Sequence, residues 1–237
     1  YFVGDTLDTT GLKLTATYTN GTTQTITSGF TCTPTALSTA GAQTITVNYG
    51  GKTATFTVNV QDVTLSGIAI ASNPSKTSYF VGDTLDTTGL KLTATYTNGT
   101  TQTITSGFTC TPTALTSAGA QTVTVNYGGK TATFTVNVQD VTLSGIAIAS
   151  NPSKTSYFVG DTLDTTGLKL TATYNNGTTQ TITSGFTCTP TALSTAGAQT
   201  VTVNYGGKTA TFTVNVQDVT LSGIAIASNP SKTSYFV

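Results

Sequence analysis

Apolar and polar residues alternate along most of this chain. Between residues 90 and 96, Leu90, Leu92, Ala94 and Tyr96 alternate with Lys91, Thr93 and Thr95. That period of two reads as a strand with one buried face. Asn98-Gly99 then signals a tight hairpin, and Thr101 to Thr105 returns as the partner strand around Ile104. Phe108 and Cys110 share a face if their segment is extended, and Pro112 ends that segment or places it at an edge. Leu115 begins a short piece that closes at Gly119. A second hairpin follows, with Val123, Val125 and Tyr127 on one arm and Ala132, Phe134, Val136 and Val138 on the other, joined by Gly128-Gly129. Gln139-Asp140 leads without Gly or Pro into a further short strand around Ile146 and Ile148, and Asn151-Pro152-Ser153-Lys154 is a turn. No window carries a 3.6-residue apolar stripe. Roughly seven short strands at regular spacing predict an all-β fold, an immunoglobulin-like antiparallel β-sandwich.

The whole pattern recurs every 78 residues. The stretch Tyr1 to Leu12, YFVGDTLDTTGL, returns at Tyr79 and at Tyr157, and Tyr235-Phe236-Val237 opens a fourth copy. Four positions differ between copies: Ser38-Thr39 becomes Thr116-Ser117 and then Ser194-Thr195, Ile45 becomes Val123 and Val201, and Thr19 and Thr97 become Asn175. A unit this long is not a solenoid rung but a small domain that folds by itself. The strand around Ile68 and Ile70 needs a sheet to join, and the hairpin ending at Val60 closes the sheet before it, so the boundaries fall near Asp62, Asp140 and Asp218. Residues 1–62 are then a repeat lacking its first strand, 63–140 and 141–218 are complete repeats, and 219–237 are the first strand and start of the next. Junctions without Gly or Pro favour an extended rod of tandem domains over a flexible string.

Composition narrows the chemistry. There is no His, Trp, Met, Arg or Glu, and nine lysines balance nine aspartates, so the net charge is zero. Without imidazole or glutamate no nucleophile–base arrangement can be written, and an enzyme is not expected. Without arginine or a basic excess, nucleic acid is not an expected partner. No apolar run approaches the length of a membrane span. Nothing calls for a cofactor. Charged residues make up only 8% of the chain, and about a quarter is threonine. Hydroxyls therefore do the solubilising, on a β-branched residue that favours strands. Such a surface suits an exported protein held in an array.

With the order of elements in hand, the chain resembles the bacterial Ig-like domains of the third group. The resemblance lies in Gly67-Ile68-Ala69-Ile70, the Asn73-Pro74-Ser75-Lys76 turn, Tyr79 through Asp86, Gly89-Leu90-Lys91-Leu92, the Tyr96-Thr97-Asn98-Gly99 hairpin and the close at Val125 through Phe134. It covers the entire repeat. It implies tandem domains of a large bacterial surface protein, extracellular, with a stalk or adhesin role and no catalytic residues to carry over.

Some residues hold candidate chemistry, each with a plainer alternative. Cys32, Cys110 and Cys188 occur once per repeat. One thiol closes no bond within its repeat, and a strand of about eight residues spans roughly 26 Å, far beyond the roughly 7 Å between Cα atoms that a disulfide tolerates. The plain reading is a small buried hydrophobe beside Phe108; the sharper one is an intermolecular disulfide between chains packed side by side. Asp83 and Asp86, with Asp140 near the junction, are weak candidates for calcium, against ordinary turn chemistry. Asn20, Asn98 and Asn176 each open Asn-Gly-Thr, a glycosylation sequon, although a hairpin turn already accounts for Asn-Gly. Recurrent Thr-x-Thr reads as the solvated face of strands. Lys91, on the polar side of its strand, is poorly placed for a covalent Lys–Asn crosslink.

These readings converge on a structural repeat of a long extracellular bacterial surface protein or fibre. Its partners would be further copies of the repeat, in the same or neighbouring chains. The alternatives are a module that binds surface glycans or a host surface, and a filament subunit joined head to tail by strand complementation. The mid-motif ends are expected of a window from a longer polypeptide, with strand exchange between separate chains as the competing account.

Overall fold

A computed structural model describes residues 1–234; Tyr235, Phe236 and Val237, read above as the start of a fourth copy, lie outside the described residues. The chain forms two compact units, Tyr1–Gln139 and Asp140–Val237. The first repeat supplies β1 (Leu14–Thr17), β2 (Thr23–Ile26), β3 (Thr31–Thr33), β4 (Gly41–Tyr49) and β5 (Lys52–Val60). The second supplies β6 (Leu65–Ser72), β7 (Ser78–Phe80), β8 (Lys91–Tyr96), β9 (Thr101–Ile104), β10 (Thr109–Thr111), β11 (Gly119–Tyr127) and β12 (Lys130–Gln139). The third repeats that set as β13 (Leu143–Ser150), β14 (Ser156–Phe158), β15 (Lys169–Tyr174), β16 (Thr179–Ile182), β17 (Thr187–Thr189), β18 (Gly197–Tyr205) and β19 (Lys208–Gln217).

In the second repeat one sheet runs β6-β8-β9 and the other β10-β11-β12-β7. The third matches it, with β13-β15-β16 facing β14-β19-β18-β17. The fold is the all-β sandwich that the alternation predicts, with one departure from purely antiparallel pairing. β7 lies parallel to β12, with Tyr79 opposite Val138. The chain reaches β7 by crossing from one sheet to the other after β6 rather than by a hairpin, and only crossovers permit parallel neighbours. β6 and β8 shift register between Leu65 and Gly67 and again between Ile70 and Ser72, a bulged pairing that bends the first strand along the sandwich.

The two predicted hairpins close differently. Gly128 and Gly129 both have positive φ, 56° and 77°, in a two-residue turn that pairs Tyr127 with Lys130. This is the mirror-image turn that matches strand twist. At Asn98-Gly99 only the glycine is left-handed (φ 80°). The Tyr96 N–H donates to Thr100 O and the Gly99 N–H to Tyr96 O. The loop therefore has three residues, Thr97 to Gly99, with the glycine in the bulge position, rather than the two-residue turn that Asn-Gly suggests.

Inward positions carry the core. Leu92 and Ala94 from one sheet meet Val123, Val125 and Phe134 from the other, with Leu115 sealing one end; all are buried. The third repeat rebuilds this core from Leu170, Ala172, Val201, Val203, Phe212 and Leu193. The first repeat holds only a reduced cluster of Leu7, Leu37, Ile45 and Val60. Its sheets are β1-β2 and β3-β4-β5, with no strand beyond β1. Residues Leu221 to Ser228 share the sequence of β6 and β13 yet form no strand. An extended segment without a neighbouring ladder leaves its backbone groups to water and has nothing to hold it straight. Among the described residues no helix is long and apolar enough to cross a membrane.

Candidate functional site

The repeated motif is built around one phenol. Tyr79 is 2% exposed, and its hydroxyl lies 3.0 Å from Lys76 O and 3.1 Å from Asp86 O, while also accepting the Asp86 N–H at 3.1 Å. The loop that follows is laced to the end of β12 and to the stretch between β10 and β11, all on the side of its own sheet. The Val81 N–H donates to Gln139 O, the Gly82 N–H to Leu115 O and the Leu115 N–H to Asp83 O. Lys76 Nζ sits 4.4 Å over the Tyr79 ring and 3.3 Å from the Asp83 carboxylate. Tyr157, Lys154 and Asp161 repeat this arrangement. Sequence reasoning noticed that the motif returns but missed that its tyrosine is a structural hub; the recurring Tyr with Asp seven residues on was the available signal.

Asp83 and Asp86 are occupied locally. The Asp83 carboxylate accepts the Phe80 N–H, which holds its pKa below the ordinary 3.8. Asp86 accepts both the hydroxyl and the N–H of Thr88, which lowers it likewise. Asp140 is engaged through its backbone carbonyl rather than its carboxylate. Among the described residues no three His, Cys, Asp or Glu side chains gather as metal ligands would.

Cys110 and Phe108 pack half-buried against the core, and burial alone pushes the Cys110 thiol up. Cys188 behaves in the same way, and Cys32 packs against the smaller first core. A raised thiol is a poor nucleophile. Asn98 Oδ1 accepts from the Thr100 N–H and hydroxyl at 3.1 and 2.7 Å, closing the hairpin loop, and Asn20 and Asn176 do the same for Thr22 and Thr178.

The join between the first and second repeats has no slack. Gln61 belongs to the first repeat: its N–H donates to Tyr1 O, and its carbonyl accepts the Val3 N–H. Asp62, the next residue, is already held by the second: its carbonyl accepts from the Thr97 hydroxyl, which in turn accepts the Thr64 N–H at 3.0 Å. In the third repeat Asn175 replaces this threonine, and its amide divides the work. Nδ2 donates to Asp140 O, and Oδ1 accepts the Thr142 N–H, both at 2.9 Å. One of the four variable positions is thus the clamp on the incoming chain, and both residue types can grip it.

The first repeat presents a groove where the second is filled. Between Leu14–Tyr18 and the facing residues Val47, Tyr49 and Ala54 lies an open cleft of about 540 Å³. In the second repeat β6 occupies the matching place, paired to β8 from Leu65↔Tyr96 to Ser72↔Lys91. A Cβ built on Gly128 would meet Leu65 Cδ2 at 2.7 Å, whereas one on Gly50 meets nothing within 4 Å. The chain also carries an unpaired copy of the filling segment. Val219, Leu221, Ile224 and Ile226 are 73–90% exposed.

Comparison with known proteins gives this arrangement a family. At 32% identity over 252 residues, the chain is similar along its full length to a pectate lyase L of Thermoclostridium stercorarium, of which it covers 20%. It is 37% identical over 119 residues to an exo-beta-1,6-galactobiohydrolase of Bifidobacterium longum, matching 48% of this chain and 8% of that protein. The chain thus spans a fifth or less of the curated relatives it matches. Among solved structures, domains 1–6 of the surface layer protein SbsC align with 93% of this chain and 39% of theirs, at 17% identity and a TM-score of 0.35. The titin I-band fragment I67–I69 aligns with 90% of this chain and 84% of its own, at 10% identity and a TM-score of 0.29. The family model for the bacterial Ig-like domain (group 3) matches residues 1–60, 72–138 and 150–216, one stretch in each copy. The chain therefore belongs to the bacterial Ig-like domain (group 3) family, as three tandem repeats.

Proposed function

We propose that this chain is a non-catalytic structural segment, a stalk or spacer within a long extracellular protein at a bacterial surface, with the repeat framed as 63–140 and 141–218. The observation that carries this reading is the join at Gln61 and Asp62, where adjacent residues belong to the hydrogen-bond networks of successive repeats. A connection with no free residue transmits position and load from one domain to the next; a flexible tether would not. Near-identity of the copies supports the same role, because each unit does the same mechanical work. The family supports a repeat module, and the exposed threonine-rich strand faces, with very few charges, suit a protein outside the cell.

Two measurements test it. Antibody raised against the repeat should label intact, unpermeabilised cells of the organism that makes it; labelling only after lysis would overturn the surface assignment. Pulled from its ends, the chain should yield equal unfolding steps from the two complete repeats, each releasing roughly 25 nm for 78 residues. A glycan array with saturable binding to the folded chain would replace the spacer with a binding module.

A further inference from the structure

We propose that the outer edge of β9, repeated at β16, is a docking site for the same edge of a second copy of this chain, the two strands pairing antiparallel about a two-fold axis at Gln102. The inference goes beyond the spacer reading and does not depend on it.

The two sheets of the second repeat end in β6, β9, β10 and β7, and three of these edges are guarded. β6 is bulged between Leu65 and Gly67 and between Ile70 and Ser72. β10 is three residues long and runs into Pro112, which has no N–H to offer. β7 is equally short and is flanked by the Lys76–Asp83 ion pair. Bulges, prolines, short length and charges are the means by which edges are kept from pairing. β9 has no bulge, proline or charge. Its register with β8 runs unbroken from Thr95↔Thr101 to Leu92↔Ile104, and no charged residue lies between Lys91 and Lys130. The edge is not bare for want of an adjoining repeat. Thr101, Gln102 and Thr103 are exposed with the first repeat joined ahead of them, and the equivalent Thr23, Gln24 and Thr25 of β2 are exposed with the second joined behind.

The main chain sets the pairing. The Tyr96 N–H donates to Thr100 O. Hydrogen-bonded pairs alternate along an antiparallel ladder, so Ala94–Gln102 and Leu92–Ile104 are the next, and Thr101 and Thr103 turn their N–H and C=O groups away from β8. Among the described residues no other main-chain bond reaches them. The Tyr174 N–H and Thr178 O set Thr179 and Thr181 of β16 in the same way. The occupant follows from symmetry. Thr101-Gln102-Thr103 reads the same in both directions, so a second copy laid antiparallel puts each threonine against the other, with two main-chain hydrogen bonds at each pair. Gln102 then stands opposite its own copy. Its Oε1 accepts the Tyr96 hydroxyl at 3.0 Å, and its amide N–H groups are left to donate across the axis. Such a contact is isologous: each strand gives what it takes. A charged partner finds no counter-charge here, whereas a second copy brings none to repel.

A register-specific crosslink tests this directly. In a chain with Cys32, Cys110 and Cys188 replaced by alanine, Gln24→Cys, Gln102→Cys and Gln180→Cys are made together, so that any two equivalent edges bring thiols face to face. Opposed residues of this kind lie about 4.5 Å apart between Cα atoms, within disulfide reach. Under mild oxidation the expected products are covalent dimers and higher multimers, formed faster as the chain is concentrated. Thr27→Cys, Thr105→Cys and Thr183→Cys expose their thiols as well but leave them about 20 Å apart across the axis, and should crosslink at least about tenfold more slowly. Equal rates for the two sets, or no crosslink, would overturn the proposal. So would bonds closing only within one chain, which leave the mass unchanged. A second variant adds lysine at Thr23, Thr25, Thr101, Thr103, Thr179 and Thr181 to the Gln102→Cys set. These side chains are exposed, so the fold is kept, and like charges then oppose each other across the axis. Multimer formation should fall at least about tenfold at low salt; an unchanged rate would show that this edge is not the contact.

Discussion

The first and second repeats are nearly the same sequence in two states. In the second, Leu92 and Ala94 are fully buried, Tyr79 is 2% exposed and Phe134 6%. In the first, the matching Leu14, Ala16 and Phe56 are half-buried and Tyr1 is 42% exposed. Between Tyr1 and Val60 the two copies differ only at Ser38-Thr39 and Ile45, none of which lies on β1 or β5. What separates the copies is a neighbour, the strand Leu65–Ser72 and its turn. That strand contributes three half-buried apolar side chains of its own, roughly 1 kcal/mol each. It also completes the burial of the strand beside it and brings Lys76 O to the tyrosine hydroxyl. Burial of a residue in a sandwich is therefore a property of the ladder it stands in, not of its own segment.

If so, removing β6 should make the second repeat resemble the first. Ile68→Asp with Ile70→Asp should cost about 4 kcal/mol or more in the second repeat, by lost apolar burial and desolvated carboxylates. Chemical denaturation monitored by hydrogen exchange in β8 and β12 would read it. Paired truncations sharpen the contrast: Leu92→Ala should cost about 2–5 kcal/mol and Leu14→Ala roughly a third of that, since its site is already open. Tyr79→Phe should cost about 1 kcal/mol, because it leaves the part-buried Asp86 N–H and Lys76 carbonyl without the hydroxyl that joins them. Tyr1→Phe, which loses only an exposed bond to Asp8 O, should change stability by less than about 0.5 kcal/mol. Thr97→Val removes both clamp bonds and should cost about 1 kcal/mol, detectable as faster exchange at Thr64.

The smallest effect is expected from pH. Asp83 and Asp86 are more acidic folded than the ordinary 3.8, through the Phe80 and Thr88 hydrogen bonds. Their contribution is complete above that value and is lost as pH falls through the lower folded values. A thermal melt series should be flat near neutrality and decline below about pH 4, modestly, because these carboxylates are solvent-exposed and screened. Asp83→Asn should flatten part of that decline.

The repeat, its seven strands and its sandwich were legible because period-two alternation and turn residues report directly on strands. The Gly128-Gly129 turn was legible for the same reason. The Asn98-Gly99 loop was not read to the residue: the dipeptide fits either a two-residue turn or a three-residue loop with its glycine in the bulge, and pairing of Tyr96 with Thr100 selects the second. The parallel β7–β12 edge was illegible, because three residues of Ser-Tyr-Phe carry no periodicity and their partner lies about 60 positions away. The Thr97 clamp was hidden for a related reason: its hydroxyl meets main-chain atoms of Asp62 and Thr64, 35 and 33 positions away, which only the fold brings near. The Tyr79 hub is local, reaching only Lys76 and Asp86, but the spacing alone does not say that the phenol turns inward onto those main-chain atoms. The change of Thr97 to Asn175 was visible in the sequence as variation, but its meaning required Asp140 O and the Thr142 N–H beside it.

The most direct measurement supplies the first repeat with the strand that distinguishes it from the second. A chain carrying an extra Val63–Ser78 segment fused ahead of Tyr1 should show amide exchange in Leu14–Thr17 slowed to the rates of Leu92–Thr95. The accessibility of Tyr1 should fall to that of Tyr79. If Leu14–Thr17 continues to exchange as in the unfused chain while the second repeat stays folded, the neighbouring strand is not what separates the two repeats.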